Sequence, residues 1–227
     1  MNNYVFITTI VDPNRTIDLA KKYLLDEDIK EVWIYDNGHQ EKDKDLLLSF
    51  ANDTNKVIYC DTRGLSLHGQ WNKALKFSLD NHPCNIVLSN DDLDIEEKLV
   101  SKLSSVLNSS DEYWIAYPAN KQQYNNGAIK ITSGTKADGG MDGSCFMIKS
   151  EAFKSGMPFV DERFVYWGGD DDIARNVEKM GKKQVRVNNT WSDHMNENTS
   201  SRPEFKWMQD AKENDRILLK EKWGISR

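Results

Sequence analysis

Cysteine is scarce in this chain: three in 227 residues, at Cys60, Cys84 and Cys145. They lack metal-ligand spacing and cannot all pair. A reducing compartment is expected, with the thiols as small core residues. Long apolar runs are missing as well; none approaches the length of a membrane span. The apolar fraction is 38% and the mean hydropathy −0.69, so a soluble protein with a wet surface is expected. No basic segment precedes Val5-Phe6-Ile7, and the apolar run breaks at Asp12-Pro13, which reads as a first strand rather than a signal peptide. Basic excess is absent too: 30 basic against 36 acidic side chains give a net charge of −6. That argues against broad electrostatic binding to nucleic acid, though not against a local basic groove. No repeat, low-complexity tract or linker interrupts the chain. One compact domain spanning 1–227 is expected, with an anchor-free, cytoplasmic character.

What is present begins with alternating strand and helix signals. The apolar periodicity predicts strands over Tyr4–Val11, Glu31–Tyr35, Lys56–Cys60 and Asn85–Leu88. Between them it predicts helices over Arg15–Leu25 (capped by Asn14), about Asp43–Ala51, and His68–Leu79. Such βα repeats imply a parallel sheet with helices on both faces, and ligands at the carboxyl ends of its strands. Asp12, Asp36, Asp61 and Asp91 fall at those ends. The second half is less regular. It predicts a helix over Ile95–Leu107, strands at Tyr113–Tyr117, Ser144–Ile148 and Gln184–Val187, and helices at Asp170–Met180 and Glu204–Trp223. Pro118–Gly143 reads as a polar hairpin, and Asp193–Pro203 as a loop able to close as a lid.

Two acidic clusters and one histidine carry the chemistry. Ser89-Asn90-Asp91-Asp92 follows the apolar run Ile86-Val87-Leu88, Trp167-Gly168-Gly169-Asp170-Asp171-Asp172 precedes a helical pattern, and His194 lies in Trp191-Ser192-Asp193-His194. Carboxylates at a strand end can hold a hard cation, and a histidine can add a borderline ligand. A carboxylate at a helix start can take a proton from a substrate hydroxyl. Each has a plainer reading: Asp91-Asp92 as a helix cap, His194 as a surface residue, Asp36 as a turn residue in Asp-Asn-Gly, and Trp167 as core. Taken together they describe a metal-dependent enzyme acting on a phosphorylated or nucleotide-linked substrate.

These pieces, in this order, resemble the GT-A glycosyltransferases, especially family 2 and the β-1,4-galactosyltransferase group. The likeness runs from Tyr4 to Phe205. Tyr35-Asp36-Asn37-Gly38 is similar to the motif whose aspartate reads the base, and Gly69-Gln70-Trp71-Asn72-Lys73-Ala74 to an asparagine-alanine helix. Ser89-Asn90-Asp91-Asp92 stands where a DxD metal motif belongs, with its first aspartate replaced. Trp167 to Ile173 resembles the tryptophan-glycine-glycine-acid signature. His194, with Asn196-Glu197-Asn198 and Arg202-Pro203-Glu204-Phe205, is similar to a histidine-ligand segment.

The resemblance implies a mixed, mainly parallel α/β sheet flanked by helices, with a nucleotide lobe at 1–95 and an acceptor lobe at 96–227. It implies a nucleotide-sugar donor, a UDP-sugar first, and an acceptor hydroxyl, a glycan first. Mn2+ or Mg2+ would sit on Asp91, Asp92 and His194. Asp170, with Asp171 as its close rival, would be the base of an inverting displacement, and Asp172 a structural cap. Thr9, Arg15, Asp36, Arg63 and Asn90 would face the nucleotide, and Trp167, Gly168 and Gly169 the acceptor. Asp142-Gly143-Ser144 would face the donor sugar. A nucleotidyltransferase, or a non-catalytic sugar- or nucleotide-binding homologue, are the alternatives. The first is disfavoured by a glycine-free loop at Asp12-Pro13-Asn14-Arg15.

Overall fold

A computed structural model describes the chain apart from residues 11, 39, 126, 128, 135–139, 196–204 and 225–227. The first half runs β1 (Asn2–Thr9), α1 (Pro13–Leu24), β2 (Ile29–Asp36), α2 (Glu41–Asn52), β3 (Val57–Asp61), α3 (Leu67–Asp80), β4 (Cys84–Asn90) and β5 (Leu93–Ile95). The second runs α4 (Leu99–Leu107), β6 (Tyr113–Ala119), β7 (Lys130–Thr132), β8 (Cys145–Lys149), α5 (Ser150–Lys154), α6 (Gly169–Lys179), β9 (Lys183–His194) and α7 (Lys206–Trp223). Among the described residues nine strands form one sheet in the order β3-β2-β1-β4-β8-β6-β9-β5, with β7 paired to β9. The β3-β2-β1-β4 half is parallel, β8 enters antiparallel to β4 and β6, and β9 runs parallel to β6.

Alternation along each strand divides the core in two, because successive side chains leave opposite faces of a sheet. Tyr4, Phe6, Ile86, Leu88, Phe146 and Ile148 face α3, α5, α6 and α7. Val5, Ile7, Val32, Val87 and Met147 face α1, α2 and α4. β1 and β4 are buried on both faces, so they read as unbroken apolar runs rather than alternating ones.

Local chemistry moves several expected boundaries. Asp12, not Asn14, caps α1: its carboxylate accepts from the backbone N–H of Asn14 at 3.0 Å and of Arg15 at 3.3 Å. Pro13 then fills the first helical position, where no N–H is needed. The expected helix over Ile95–Leu107 is split into β5 and α4. Lys98, at φ 60°, gives α4 no side-chain cap, and Asp26 from the α1–β2 turn supplies one by accepting from Ser101 N at 2.8 Å. Leu25, Leu79 and Met180, the last residues of the helices expected from periodicity, are exposed. β9 extends well past Val187, with a bulge between its pairings at Val187 and Trp191, so His194 is the last residue of a strand and not part of a loop. Most of the expected lid, the segments 196–198 and 202–204, and the expected start of the last helix at Glu204 lie outside the described residues.

Candidate active site

The carboxyl ends of β1 and β4 open into a cavity of about 370 Å³. The start of α3, the 142–144 loop, the 166–170 segment, the end of β9 and the start of α7 close it. Of the residues singled out in the sequence, Thr9, Asn90, Asp91, Asp92, Trp167, Gly168, Asp170 and His194 line this cavity. Asp142, Gly143 and Ser144 line it as well. Arg15, Asp36, Arg63, Gly169 and Asp171 are not on its wall.

Asp91 and Asp92 are held differently. Thr9 Oγ1 donates to Asp91 Oδ2 at 2.6 Å, and Thr16 Oγ1 lies 2.7 Å behind Thr9 Oγ1. Asp92 is buried, with Oδ1 3.2 Å from His194 Nε2. The backbone fixes that meeting: Leu93 pairs with His194 across β5 and β9, and Met195 N donates to the Asp92 carbonyl at 2.8 Å. An octahedral ion with bonds of about 2.1 Å spaces neighbouring ligands about 3.0 Å apart, close to the Asp92–His194 separation. No group of three or more His, Cys, Asp or Glu side chains among the described residues is arranged to hold a metal. The protein donors that converge are therefore a carboxylate and an imidazole, with Asp91 on the same wall. That set fits an ion that takes its remaining ligands from phosphate and water.

The second cluster separates into three roles. Asp170 reaches the cavity, and it does so because position 143 is glycine: a Cβ there would lie 2.9 Å from Asp170 Cβ and 3.0 Å from Oδ2. Asp171 is fully buried and is not on the cavity wall. Asp172, expected to cap the helix, does not; Gly168, φ 81°, is the N-cap of α6, with no side-chain cap. Asp172 instead accepts from Trp223 Nε1 at 2.8 Å, Lys222 Nζ at 3.0 Å and Asp161 N at 2.9 Å, fastening α7 to α6.

Of the residues expected to face the nucleotide, Arg15, Asp36 and Arg63 lie apart from the cavity, whereas Thr9 and Asn90 line it. Asp36 is buried and accepts from Tyr59 Oη at 2.7 Å and Gly38 N at 3.0 Å, while its neighbour Asn37 reaches the wall. Burial, then the bond to Asp36, pushes the Tyr59 hydroxyl up from its ordinary range. Arg63 is spent on Asp61, with Nη2 at 2.5 Å and Nε at 3.0 Å, and this holds Asp61 below the usual carboxylate range.

Sequence reasoning passed over four residues. His68, from the first turn of α3, is 1% exposed; its ring sits edge-on to Trp71 at 5.1 Å and Phe164 at 6.2 Å. Burial lowers its pKa from 6.5 to about 4, so it is neutral. Gly169 exists to admit this ring: a Cβ there would meet His68 Cδ2 at 2.2 Å. Asp215 of α7, 1% exposed, accepts from the backbone N–H groups of Val165 at 3.0 Å, Tyr166 at 2.8 Å and Trp167 at 2.7 Å. It thereby sets the wall that carries Tyr166 and Trp167. Trp207 and Met208 complete that wall from α7, with Trp207 edge-on to Tyr166 at 6.3 Å. The only sequence signal for any of these was the doubled glycine.

No protein-family model matches the sequence, and no curated protein does. Solved structures do. GalNAc-T7, solved with UDP, GalNAc and Mn2+, superposes with a TM-score of 0.57 at 14% identity, over 86% of this chain and 44% of that one. The mannosyltransferase PcManGT from Pyrobaculum calidifontis, in complex with GDP-Man and Mn2+, gives 0.58 at 11% identity, over 81% and 54%. S. aureus TarS gives 0.59 at 14% identity, over 85% and 59%. The chain has the GT-A fold. It spans about half the length of these GT-A neighbours, and at such identity the likeness extends to architecture alone. Among the described residues, no helix of this GT-A chain is long and apolar enough to cross a membrane.

Proposed function

We propose that this chain transfers a sugar from a nucleoside diphosphate, UDP first, to a hydroxyl of a glycan acceptor, by an inverting displacement that depends on Mn2+ or Mg2+. One observation carries the proposal. Asp91, Asp92, Asp170 and His194, from three distant parts of the sequence, line a single cavity at the strand ends of a GT-A sheet. Its described lining includes four aspartates, with Asp142, and neither lysine nor arginine. A diphosphate entering such a wall needs a cation to balance it. When bound, a divalent ion would act as the Lewis acid for the departing diphosphate, with Asp91, Asp92 and His194 to hold it.

The chain's own residues supply the rest. Thr9 and Asn90 stand on the nucleotide side, and residues 1–95 serve as the nucleotide lobe. Asp170 takes the proton of the acceptor hydroxyl as it attacks. It lies in the first turn of α6, where the helix dipole favours a negative charge. Trp167, with Tyr166 and Trp207, offers aromatic faces for a sugar acceptor, and residues 96–227 form the acceptor lobe.

The test is a thermal-shift panel of UDP, GDP and their sugars, with and without Mn2+. A nucleotide at about 100 times its Kd adds about 2.7 kcal/mol of stability. Stabilisation by a nucleotide only when Mn2+ is present, lost in Asp91→Ala and Asp92→Ala, is the expected result. Stabilisation by no nucleotide, or equal stabilisation without the metal, removes the proposal. Release of pyrophosphate instead of a nucleoside diphosphate would replace it with nucleotidyl transfer.

A further inference from the structure

The first turn of α3 presents three side chains to the cavity that the mechanism above leaves unused: His68, Gln70 and Trp71. They are 1%, 0% and 3% exposed. Each carries a buried polar atom with no hydrogen-bond partner among the described residues: His68 Nδ1, Gln70 Nε2 and Trp71 Nε1. Leaving such an atom unsatisfied costs about 1–3 kcal/mol, so three together on one wall require an explanation.

Their chemistry is specific. Trp71 Nε1 can only donate. His68 is neutral, so one ring nitrogen carries the proton and the other accepts, and Nδ1 is an end left open. The Thr62 hydroxyl lies 3.2 Å from Gln70 Oε1 and 2.9 Å from the Asp36 carbonyl. Whichever way the Gln70 amide is turned, one of its two ends stays unmatched on this wall. The set is uncharged and mixes donor with acceptor. A phosphate would meet too few donors and no charge. An apolar group would strand all three atoms. A carboxylated sugar would face the four aspartates of the same cavity. A ring of neutral hydroxyls, each able to donate and accept, satisfies the set.

We propose that His68, Gln70 and Trp71 form the subsite that reads the hydroxyls of the transferred sugar, and that this sugar is neutral. This rests on the transferase reading. Gly169 belongs to the same device, since its missing side chain leaves the space the His68 ring occupies.

Gln70→Met removes the polar end while keeping an apolar body of similar shape, and Trp71→Phe removes the indole N–H with a smaller aromatic ring in its place. Folding is checked by circular dichroism; Gln70→Met is expected to melt near wild type, and Trp71→Phe to melt cooperatively at a somewhat lower temperature. Calorimetric titration with Mn2+ then compares UDP and GDP with UDP-glucose, UDP-galactose, UDP-GlcNAc and GDP-mannose. Wild type is expected to prefer one nucleotide sugar over its free nucleotide, and each variant to lose about three- to tenfold of that preference. Affinity for the free nucleotide should hold within about twofold. Three results overturn the subsite: no preference in wild type, a preference intact in both variants, or an equal loss for the free nucleotide. If wild type binds no nucleotide, the transferase reading fails by itself. Titration with methyl glucoside and methyl galactoside, followed at the Trp71 indole N–H resonance, then decides the subsite alone. A shift of that resonance keeps it, and no shift removes it.

Discussion

Replacing Gly169 by alanine should be costly, although it adds one methyl group at the start of a helix, where alanine is ordinarily favoured. The new Cβ would lie 2.2 Å from His68 Cδ2, 2.3 Å from Nε2 and 3.0 Å from Cγ. The ring cannot swing aside, because Trp71 and Phe164 flank it edge-on and it is 1% exposed. The helix cannot retreat freely either, since Asp172 N is bonded to Gly168 O at 2.9 Å and Asp172 is tied to α7. Overpacking of this kind costs about 1–3 kcal/mol, and a contact this short belongs near the upper end. For a chain of this size that lowers Tm by roughly 6–12 °C. The decisive assay is a double-mutant cycle by urea denaturation. Gly169→Ala and His68→Ala should couple by about 1 kcal/mol or more, with the double variant no less stable than Gly169→Ala alone. A single variant within about 0.5 kcal/mol of wild type, or strict additivity, would refute the packing argument.

His68 also gives a pH dependence. Its pKa falls from 6.5 to about 4 on folding, so the unfolded chain binds the extra proton between those values. Its share of stability is complete above pH 6.5 and drains by about 3 kcal/mol as the pH drops towards 4; His68→Gln should flatten the urea midpoint over that window. Asp215→Ala strips the acceptor from three backbone N–H groups; a loss of about 3–5 kcal/mol is expected, with faster hydrogen exchange at Val165, Tyr166 and Trp167. Asp172→Ala leaves the partly buried Lys222 ammonium short of a partner and should cost about 3–5 kcal/mol, read as release of α7 in limited proteolysis. Gly143→Ala presses on Asp170 without touching Asp91 or Asp92. It should cut transfer roughly 10²-fold while metal-dependent nucleotide binding persists; parallel loss of both would argue against Asp170 as base.

The βα half of the fold was legible because its strands are continuous apolar runs and its helices carry 3.6-residue periodicity. The cavity wall was partly legible for the same reason: Asp91 follows directly from a strand end, and Asp170 from a helix start. What could not be read depended on contacts between distant segments. Asp36 and Arg63 stand out as charged residues at strand ends, and the sequence does not show that Tyr59 and Asp61 engage them locally. Of three consecutive aspartates, helical rotation alone decides that one reaches solvent, one is entombed and one ties down α7. His68 leaves no trace in its own neighbourhood, since a histidine in a helical pattern is indistinguishable from a surface residue. β5 is three residues long and is a strand only because β9 reaches it.

That reach makes the last part of β9 a ruler. Asp92 and His194 meet because one strand is counted off, residue by residue, against the short β5 that begins directly after Asp92. Slipping the count by a single position would turn the imidazole to the opposite side of the ribbon. Insertions between Trp191 and His194 should therefore abolish the pairing even when every side chain is retained. A compensating deletion of equal length in the same stretch should restore it.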